Sequence, residues 1–196
     1  MDPVRYISNR SSGKMGYAIA EAAAELGARV TLVSGPTSLA VPQGVGFISV
    51  ETTAQMYKAV TRQFATSDCV IMAAAPADFA PTSPARRKIK KADAALVLNL
   101  EPTVDILADL GSRKKKQVLV GFALETDNDI ANARKKLRAK NLDMIVLNSP
   151  SDERSAFEYD TNRVTVIRPG HRPDPWPLMP KREVAVKLLE IIAGML

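Results

Sequence analysis

Short apolar runs alternate with helical patterns along most of this 196-residue chain. The runs predict strands at residues 29–33, 46–50, 69–73, 95–98, 118–123 and 144–147, and the pattern between them predicts helices ending at Gly27 and spanning 52–64, 104–110 and 130–140. Strands that alternate with helices of this length are typical of an α/β fold, a doubly wound and mostly parallel sheet with helices on both faces. Ligands of such folds bind beyond the carboxyl ends of the strands, so the residues after each strand are candidate site residues.

The pattern changes after residue 148. Residues 149–180 are polar and rich in proline, with a turn leading into a β-strand at 159–167, and residues 181–196 form an amphipathic pattern that predicts a closing helix. The length suits one domain with a full-sized core. We therefore expect a single domain, residues 1–196, divided into an α/β core at 1–148, an arm and loop at 149–180, and the closing helix at 181–196.

The formal charge of +6 favours anionic partners, which include nucleotides, phosphorylated metabolites and nucleic acid. No apolar run approaches the roughly 20 residues that cross a bilayer, and the N-terminus lacks the apolar region of a signal peptide. The single cysteine, Cys69, lies in an apolar run and is expected in a buried strand, which fits a reducing cytoplasm. With His171 as the one histidine, no zinc site is expected, and any metal would be a hard cation such as Mg²⁺ carried by a polyphosphate.

A polar loop at residues 8–16 (SNRSSGKMG) runs directly into the first helical pattern. The free N–H groups and the dipole of a helix N-terminus attract anions, and Arg10 and Lys14 add positive charge, so Ser12 and Gly13 are candidate anion-binding residues. The spacing matches neither of the common glycine-rich phosphate loops. The alternative interpretation is an ordinary capped helix with Ser11 or Ser12 as its N-cap.

Three further segments carry candidate residues. Small residues after the strand at 69–73 leave room for a ligand, and Asp78 beyond them would accept its hydrogen bonds, unless Asp78 only caps a turn. The basic segment, defined as residues 86–91 (RRKIKK), is either a solvated surface or a mobile flap over a phosphate site. Lys136 and Lys140 share one face of a predicted helix, which is either a solvated face or part of the same anion site.

Five segments together, residues 2–16, 74–78, 88–91, 121–126 and 140–143, resemble bacterial phosphopantothenoylcysteine synthetases. The resemblance runs over nearly the whole chain in the same order. It implies a Rossmann-like, homodimeric ligase that uses CTP with Mg²⁺ to activate phosphopantothenate as an acyl-cytidylate, which L-cysteine then converts to an amide in coenzyme A biosynthesis. Residues 155–167 resemble the dimerisation arm of this family, whose members usually form one domain of a bifunctional protein.

The resemblance also implies residue roles. Lys88 resembles a flap lysine that neutralises the triphosphate, Asn9 an asparagine that holds the acyl-cytidylate, and Arg5 an arginine that reaches phosphopantothenate in the neighbouring subunit. Ala74 and Ala75 resemble small residues that line that substrate site. The remaining matches are nucleotide contacts: Asp78, Thr103, Val104, Asp105, Ile106, Phe122, Lys136 and Lys140.

The chain departs from this family in three respects. Members carry a further strand and a glycine-rich phosphate loop before the position of Asp2, so an inactive but folded domain is the alternative expectation. The flavin-dependent decarboxylase domain of the bifunctional proteins has no counterpart in the sequence, so no FMN is expected. Many members have Asn-Pro where this chain has Thr103-Val104, which weakens the match for those two positions.

Two other functions on the same composition are less compatible with the sequence. A nicotinamide-dependent oxidoreductase needs an acidic residue after the second strand of its fold, which follows the first helix, to hold a ribose. In this chain the strand that follows the first helix ends at Val33 and leads instead into Ser34-Gly35-Pro36. A nucleic-acid-binding module that used the basic segment would need stacking aromatics or a recognition helix. Aromatic residues make up only 5% of the chain, so we expect neither nucleic acid nor a membrane among its partners.

Overall fold

A computed structural model describes residues 1–91, 95–124, 129–148 and 159–196 of the chain. Its elements in chain order are α1 (Lys14–Glu25), β1 (Thr31–Ser34), β2 (Gly46–Ser49), α2 (Thr53–Phe64), β3 (Cys69–Met72), β4 (Phe79–Pro81), β5 (Leu100–Pro102), α3 (Ile106–Arg113), β6 (Val118–Leu124), α4 (Asp129–Ala139), β7 (Met144–Asn148), β8 (Thr161–Asn162), β9 (Val164–Ile167), β10 (Asp174–Pro175), β11 (Met179–Pro180) and α5 (Lys181–Ala193).

The central sheet has the order β10-β9-β7-β6-β3. Strands β3, β6 and β7 are parallel, with Val120 opposite Met144, while β9 and β10 are antiparallel to their neighbours. The sheet is therefore mixed, and its parallel part carries the fully apolar sequences that mark strands covered on both faces.

Helices cover both faces of this sheet, as the alternate residues of β6 show by packing into two different core clusters. Val118 and Val120 pack in a cluster with Ile19 of α1 and Leu188 of α5. Leu119, between them, belongs to a second cluster with residues of α2, α3 and α4, including Phe64, Leu110 and Leu137. The predicted α/β fold with helices on both faces is thus confirmed, and the alternation follows from the two-residue period of a strand.

The parallel ladder of β1 and β2 stands apart from the central sheet. Within the described residues, no hydrogen-bonded ladder joins β1 to β3. A cavity of about 2120 Å³ is lined by residues of β1, β3, α1 and α5. The sheet is consequently divided, and β1 and β3 contribute facing walls to one large open space.

Local sequence signals explain most element ends. Thr52 and Gln55 form a reciprocal capping box at the start of α2, as the threonine-rich start of that helix predicts. Asp105 caps α3 by accepting a hydrogen bond from Ala108 N at 3.0 Å. For α1, the expectation of a serine cap is wrong, because Gly13 is the N-cap in a left-handed conformation and makes no side-chain cap bond.

The predicted strand at residues 95–98 is wrong. The strand in this region is β5, which pairs with β4 in a two-stranded antiparallel ladder. Leu96 and Val97 are 54% and 79% exposed, so this apolar run packs on no core surface. A short apolar run predicts a strand only when its side chains are buried, and these are not.

Part of the predicted arm lies in the central sheet. Strand β9, Val164–Ile167, pairs with β7 and has buried side chains at Val164, Val166 and Ile167. Residues 149–158 lie outside the described residues, so a dimerisation role for the segment 155–167 stays a prediction. Helix α5 follows as predicted for residues 181–196, although it ends at Ala193. Among the described helices, none combines the length and the apolar character that a membrane crossing requires.

Candidate functional site

The loop before α1 contacts the segment that follows β3. The side-chain amide of Asn9 donates to the main-chain oxygen of Ala75, and its Oδ1 accepts from Ser11 N at 3.0 Å. Asn9 therefore bridges two loops that are far apart in sequence. This contact lies where the carboxyl end of β3 meets the start of α1, at the edge of the sheet where α/β folds bind ligands.

Gly13 gives the loop its turn into α1. Its φ of 76° is favourable only for a residue without a Cβ, and its carbonyl accepts from Tyr17 N at 3.1 Å. Gly16, one turn on, lies beside the residue that follows β3, where a Cβ at this position would be in ordinary contact, 3.7 Å from the Cβ of Ala73. The start of the helix is thus packed against the end of β3.

One group of expected site residues lines the large cavity. Arg5, Asn9, Gly13, Ala74, Ala75, Thr103 and Val104 all contribute to its wall. Ala74 and Ala75 are exposed to it, as small residues beside a ligand would be. The structure thus places Arg5, Ala74 and Ala75, which the resemblance assigns to phosphopantothenate, in one cavity lining with Asn9, Gly13 and two of the expected nucleotide residues. Ser12, a candidate anion-binding residue, is not part of that lining, and its carbonyl accepts from Thr37 Oγ1 at 3.3 Å.

Asp78 and Thr103 are joined through the main chain. Thr103 N donates to the Asp78 carbonyl at 2.8 Å, and Thr103 Oγ1 donates to the Ala77 carbonyl at 2.7 Å. These bonds fix the segment after β3 to the segment before α3. Asp78 itself is exposed, and it is not among the residues that line the cavity.

Asp105 and Lys140 form an ion pair at the start of α3, with 2.8 Å between Lys140 Nζ and Asp105 Oδ2. Burial raises the pKa of the Asp105 carboxyl, but hydrogen bonds from Lys140 and Ala108 N, with the nearby charge of Lys136, bring its net pKa below the ordinary value. Asp105 is therefore charged at neutral pH and holds Lys140 beside the helix N-terminus. Its neighbour Ile106 is only 3% exposed, so this residue can meet a nucleotide only through its main chain.

The other expected nucleotide contacts lie outside the cavity lining. Lys88 is exposed in the basic segment, Lys136 is exposed on α4, and Phe122 is partly buried in β6 against the core. Among the described residues, the structure therefore presents two sets of candidates, one around Asn9 and the other around Asp105 and Lys140. It does not by itself bring Lys88 into either set.

Cys69 lies in β3, as expected, and it also lines the cavity. Burial, followed by the charges of Asp143 and Asp68, raises the pKa of its thiol to about 12. A thiol with this pKa is almost wholly protonated at neutral pH and is a poor nucleophile. Within the described ranges, no group of three or more His, Cys, Asp or Glu side chains is arranged to hold a metal ion.

Sequence reasoning missed the role of Asp2. This carboxylate accepts five hydrogen bonds, and one of them comes from Ile89 of the basic segment. An Asp followed by Pro is a turn signal, which explains the local part of this cluster. The bond to Ile89 spans 87 positions and has no local signal in the sequence.

Comparison with known proteins gives a consistent set of relatives. The family model described as "DNA/pantothenate metabolism flavoprotein C-terminal domain" matches residues 1–195. The chain is 49% identical over 197 residues to the coenzyme A biosynthesis bifunctional protein CoaBC of Bacillus subtilis (strain 168), covering 100% of this chain and 48% of that protein. It is 50% identical over 194 residues to a protein named cysteine/cysteine sulfinic acid decarboxylase from an unknown prokaryotic organism, covering 98% and 54% of the two chains.

A solved structure supports the fold over the same range. The C-terminal domain of a coenzyme A biosynthesis bifunctional protein CoaBC superposes with a TM-score of 0.84 at 45% identity, covering 99% of this chain and 88% of the other. The chain spans about half the length of the curated relatives it matches.

Proposed function

Because the chain belongs to the family of DNA/pantothenate metabolism flavoprotein C-terminal domains, we propose that it is the CTP-dependent ligase that joins phosphopantothenate to L-cysteine in coenzyme A biosynthesis. The observation that carries the proposal is the bond from Asn9 to Ala75, because it joins the two loops that supply the expected phosphopantothenate residues. The proposal includes a cytoplasmic homodimer, with Mg²⁺ entering bound to the triphosphate as part of the substrate.

The proposed reaction has two steps. A carboxylate oxygen of phosphopantothenate attacks the α-phosphorus of CTP, so that an acyl-cytidylate forms and pyrophosphate leaves. The amine of cysteine then attacks the acyl carbon, CMP leaves with the bonding electron pair, and the amine loses a proton as the amide forms. A free carboxylate is a poor electrophile, and the first step gives it a good leaving group.

The charges around the site suit these substrates. Phosphopantothenate, CTP and the first product, pyrophosphate, are anions, and cationic side chains beside them stabilise the charge that develops during transfer. Arg5 lines the cavity, while Lys140 and Lys136 lie near the N-terminus of α3. We assign Arg5 to phosphopantothenate and the two lysines, together with Asp78 and the segment 103–106, to the nucleotide.

Asn9 is assigned to the intermediate. Its amide bond to Ala75 holds the side chain at the cavity wall, beside the small residues Ala74 and Ala75. From this position the asparagine would orient the acyl-cytidylate toward the amine of cysteine. Lys88 would neutralise the triphosphate in the first step, once the basic segment covers the nucleotide.

The name of one relative refers to a decarboxylase, and the chain matches 54% of that protein. The resemblance assigns flavin-dependent decarboxylation to a separate domain of the bifunctional proteins, so the proposal gives this chain the ligase reaction without FMN. The purified chain is therefore expected to show no flavin absorbance and to release no carbon dioxide from phosphopantothenoylcysteine.

The deciding experiment supplies phosphopantothenate, CTP, Mg²⁺ and cysteine, and measures pyrophosphate and amide product together. Lys88→Ala should block pyrophosphate release, whereas Asn9→Asp should permit pyrophosphate release and block the amide. Lys116→Ala is the matched control, since this lysine is 82% exposed in the turn before β6. A folded chain that binds phosphopantothenate and releases no pyrophosphate would match the alternative expectation of a folded but inactive domain. A chain that binds neither phosphopantothenate nor CTP would overturn the proposal.

A further inference from the structure

The carboxylate of Asp2 is a saturated acceptor with no exposed surface. One oxygen accepts from the main-chain nitrogens of Val4 and Arg5, both at 2.9 Å. The other accepts from Arg5 Nε at 3.0 Å, Arg5 Nη2 at 2.6 Å and Ile89 N at 3.0 Å. A carboxylate that accepts five N–H donors is held in one orientation, because every donor constrains it.

The cluster holds both main-chain polar groups of Ile89. Asp2 accepts from its nitrogen, and Arg5 Nη2 donates to its oxygen at 2.7 Å. A second tie lies four residues earlier, where Ala85 N donates to the Met1 carbonyl at 2.9 Å. Residues 85–89 are thus tied to the first residues of the chain at two points.

Ile89 stands between the two exposed lysines of the basic segment that flank it, Lys88 and Lys90. Fixing the main chain of Ile89 limits the positions that the Lys88 side chain can reach. The Arg5 guanidinium and the Ile89 N–H hold the pKa of the Asp2 carboxyl well below its usual range, so the carboxylate stays charged at neutral pH. The hydrogen bond from Ile89 N is therefore made to a charged carboxylate at physiological pH.

We propose that Asp2 is a positioning residue that anchors the basic segment, so that Lys88 is presented to the triphosphate of the nucleotide. The inference rests on the proposed function for the identity of the ligand, and on the five hydrogen bonds of Asp2 for the anchor. Asp2 acts through Ile89 and touches no substrate. Arg5 completes the anchor by donating a hydrogen bond to the main-chain oxygen of Ile89.

The first test measures the anchor without any activity. Trypsin cleaves after lysine and arginine, and the basic segment offers five such residues. Asp2→Asn replaces one acceptor oxygen with an amide and removes the charge that its donors face, and we expect cleavage at residues 86–91 to accelerate about tenfold, because hydrogen bonds to a charged group are stronger than those to a neutral one. Cleavage after Lys116 in the same digest is the internal reference. Unchanged cleavage at 86–91 would overturn the anchor.

The second test measures positioning through CTP binding with Mg²⁺ present. Asp2→Asn and Lys88→Ala should each raise the dissociation constant for CTP about tenfold. The double variant should bind CTP no more weakly than Lys88→Ala alone. Asp2→Glu, which keeps the charge, should restore part of the affinity, and Asp68→Asn, at a carboxylate that is 76% exposed, should have no effect. Additive losses in the double variant would overturn a role through Lys88.

The two proposals can fail separately. If the wild-type chain binds CTP but forms no amide, the proposed ligase function fails and the double-variant comparison still decides the role of Asp2. If the wild-type chain is active while the Asp2 variants are cleaved by trypsin and bind CTP as the wild type does, the positioning role fails and the ligase function stands. A melting temperature within about 2 °C of the wild type excludes general unfolding as the cause.

Discussion

The side-chain amide of Asn9 donates a hydrogen bond to the main-chain oxygen of Ala75, which lies 66 residues further along the chain. The pair joins the loop before α1 to the segment after β3, and both residues line the same cavity. A contact between two exposed loops contributes little to global stability, whereas its place beside the expected substrate makes it valuable for catalysis. Stability and activity should therefore separate at this position.

Asn9→Ala tests that separation. We expect the free energy of unfolding to fall by less than about 1 kcal/mol, because the lost hydrogen bonds are exposed. We expect amide formation to fall at least about 100-fold, the usual effect of removing a positioned donor from a transition state. Urea unfolding and product formation measure the two quantities. Ser11→Ala, which keeps the Asn9 side chain, is the control, and a large loss of stability in Asn9→Ala would indicate a structural role instead.

Gly111 marks a close approach between α3 and the end of α4. A Cβ on Gly111 would overlap the main-chain oxygen and carbon of Lys140, and neither atom can swing aside as a side chain would. Gly111→Ala should destabilise the protein by about 3 kcal/mol, despite the higher helix propensity of alanine. Thermal or urea unfolding would measure the change.

Gly194→Ala is the matched control for this substitution. Gly194, just after α5, has a φ of −74° and its nearest Cβ contacts would be 3.5 and 3.9 Å, which are ordinary distances. This variant should be neutral or more stable by up to about 1 kcal/mol. Equal effects of the two substitutions would contradict the close approach at Gly111.

The Asp105 side chain combines a helix cap with an ion pair, and two substitutions separate these contributions. Asp105→Asn keeps an acceptor for Ala108 N and loses the charge beside Lys140, whereas Asp105→Ala loses both. Because the pair is partly exposed, we expect Asp105→Asn to cost under about 1 kcal/mol and Asp105→Ala to cost about 1 kcal/mol more. Urea unfolding at neutral pH compares the three proteins, and equal losses would show that the cap contributes nothing.

The same carboxylate gives a stability contribution that depends on pH. The folded-state pKa of Asp105 lies below its ordinary value, so the contribution is complete above the unfolded pKa near 3.8 and is lost as the pH falls through the folded value. The difference in unfolding free energy between wild type and Asp105→Asn should therefore shrink as the pH falls from 6 to below 3.8. A difference that grows toward low pH would show that the sign of the shift is wrong.

Periodicity alone predicted much of this fold from the sequence. The strand pattern at residues 118–123 and 144–147 placed β6 and β7 within one residue, because both runs are buried on both faces. The segment 95–98 has a similar composition and forms no strand, since burial is decided by the remainder of the fold.

The site shows the same limit. The resemblance selected Asn9 and Ala75 from separate segments, and the structure places them in contact. The bond from Ile89 to Asp2 and the approach of Gly111 to Lys140 join residues that are distant in sequence. Propensity and spacing report on neighbours along the chain, so contacts of this kind appear only when the chain is folded.

The loop that holds Asn9 is tied to the end of β1 by two side-chain hydrogen bonds. Tyr17 Oη in α1 donates to Ser34 Oγ at 3.3 Å, and Thr37 Oγ1, just after β1, donates to the Ser12 carbonyl at 3.3 Å. Substitutions at Ser34 or Thr37 therefore act on the start of α1 and on the loop before it, which is a route to the candidate site from residues that the resemblance did not select.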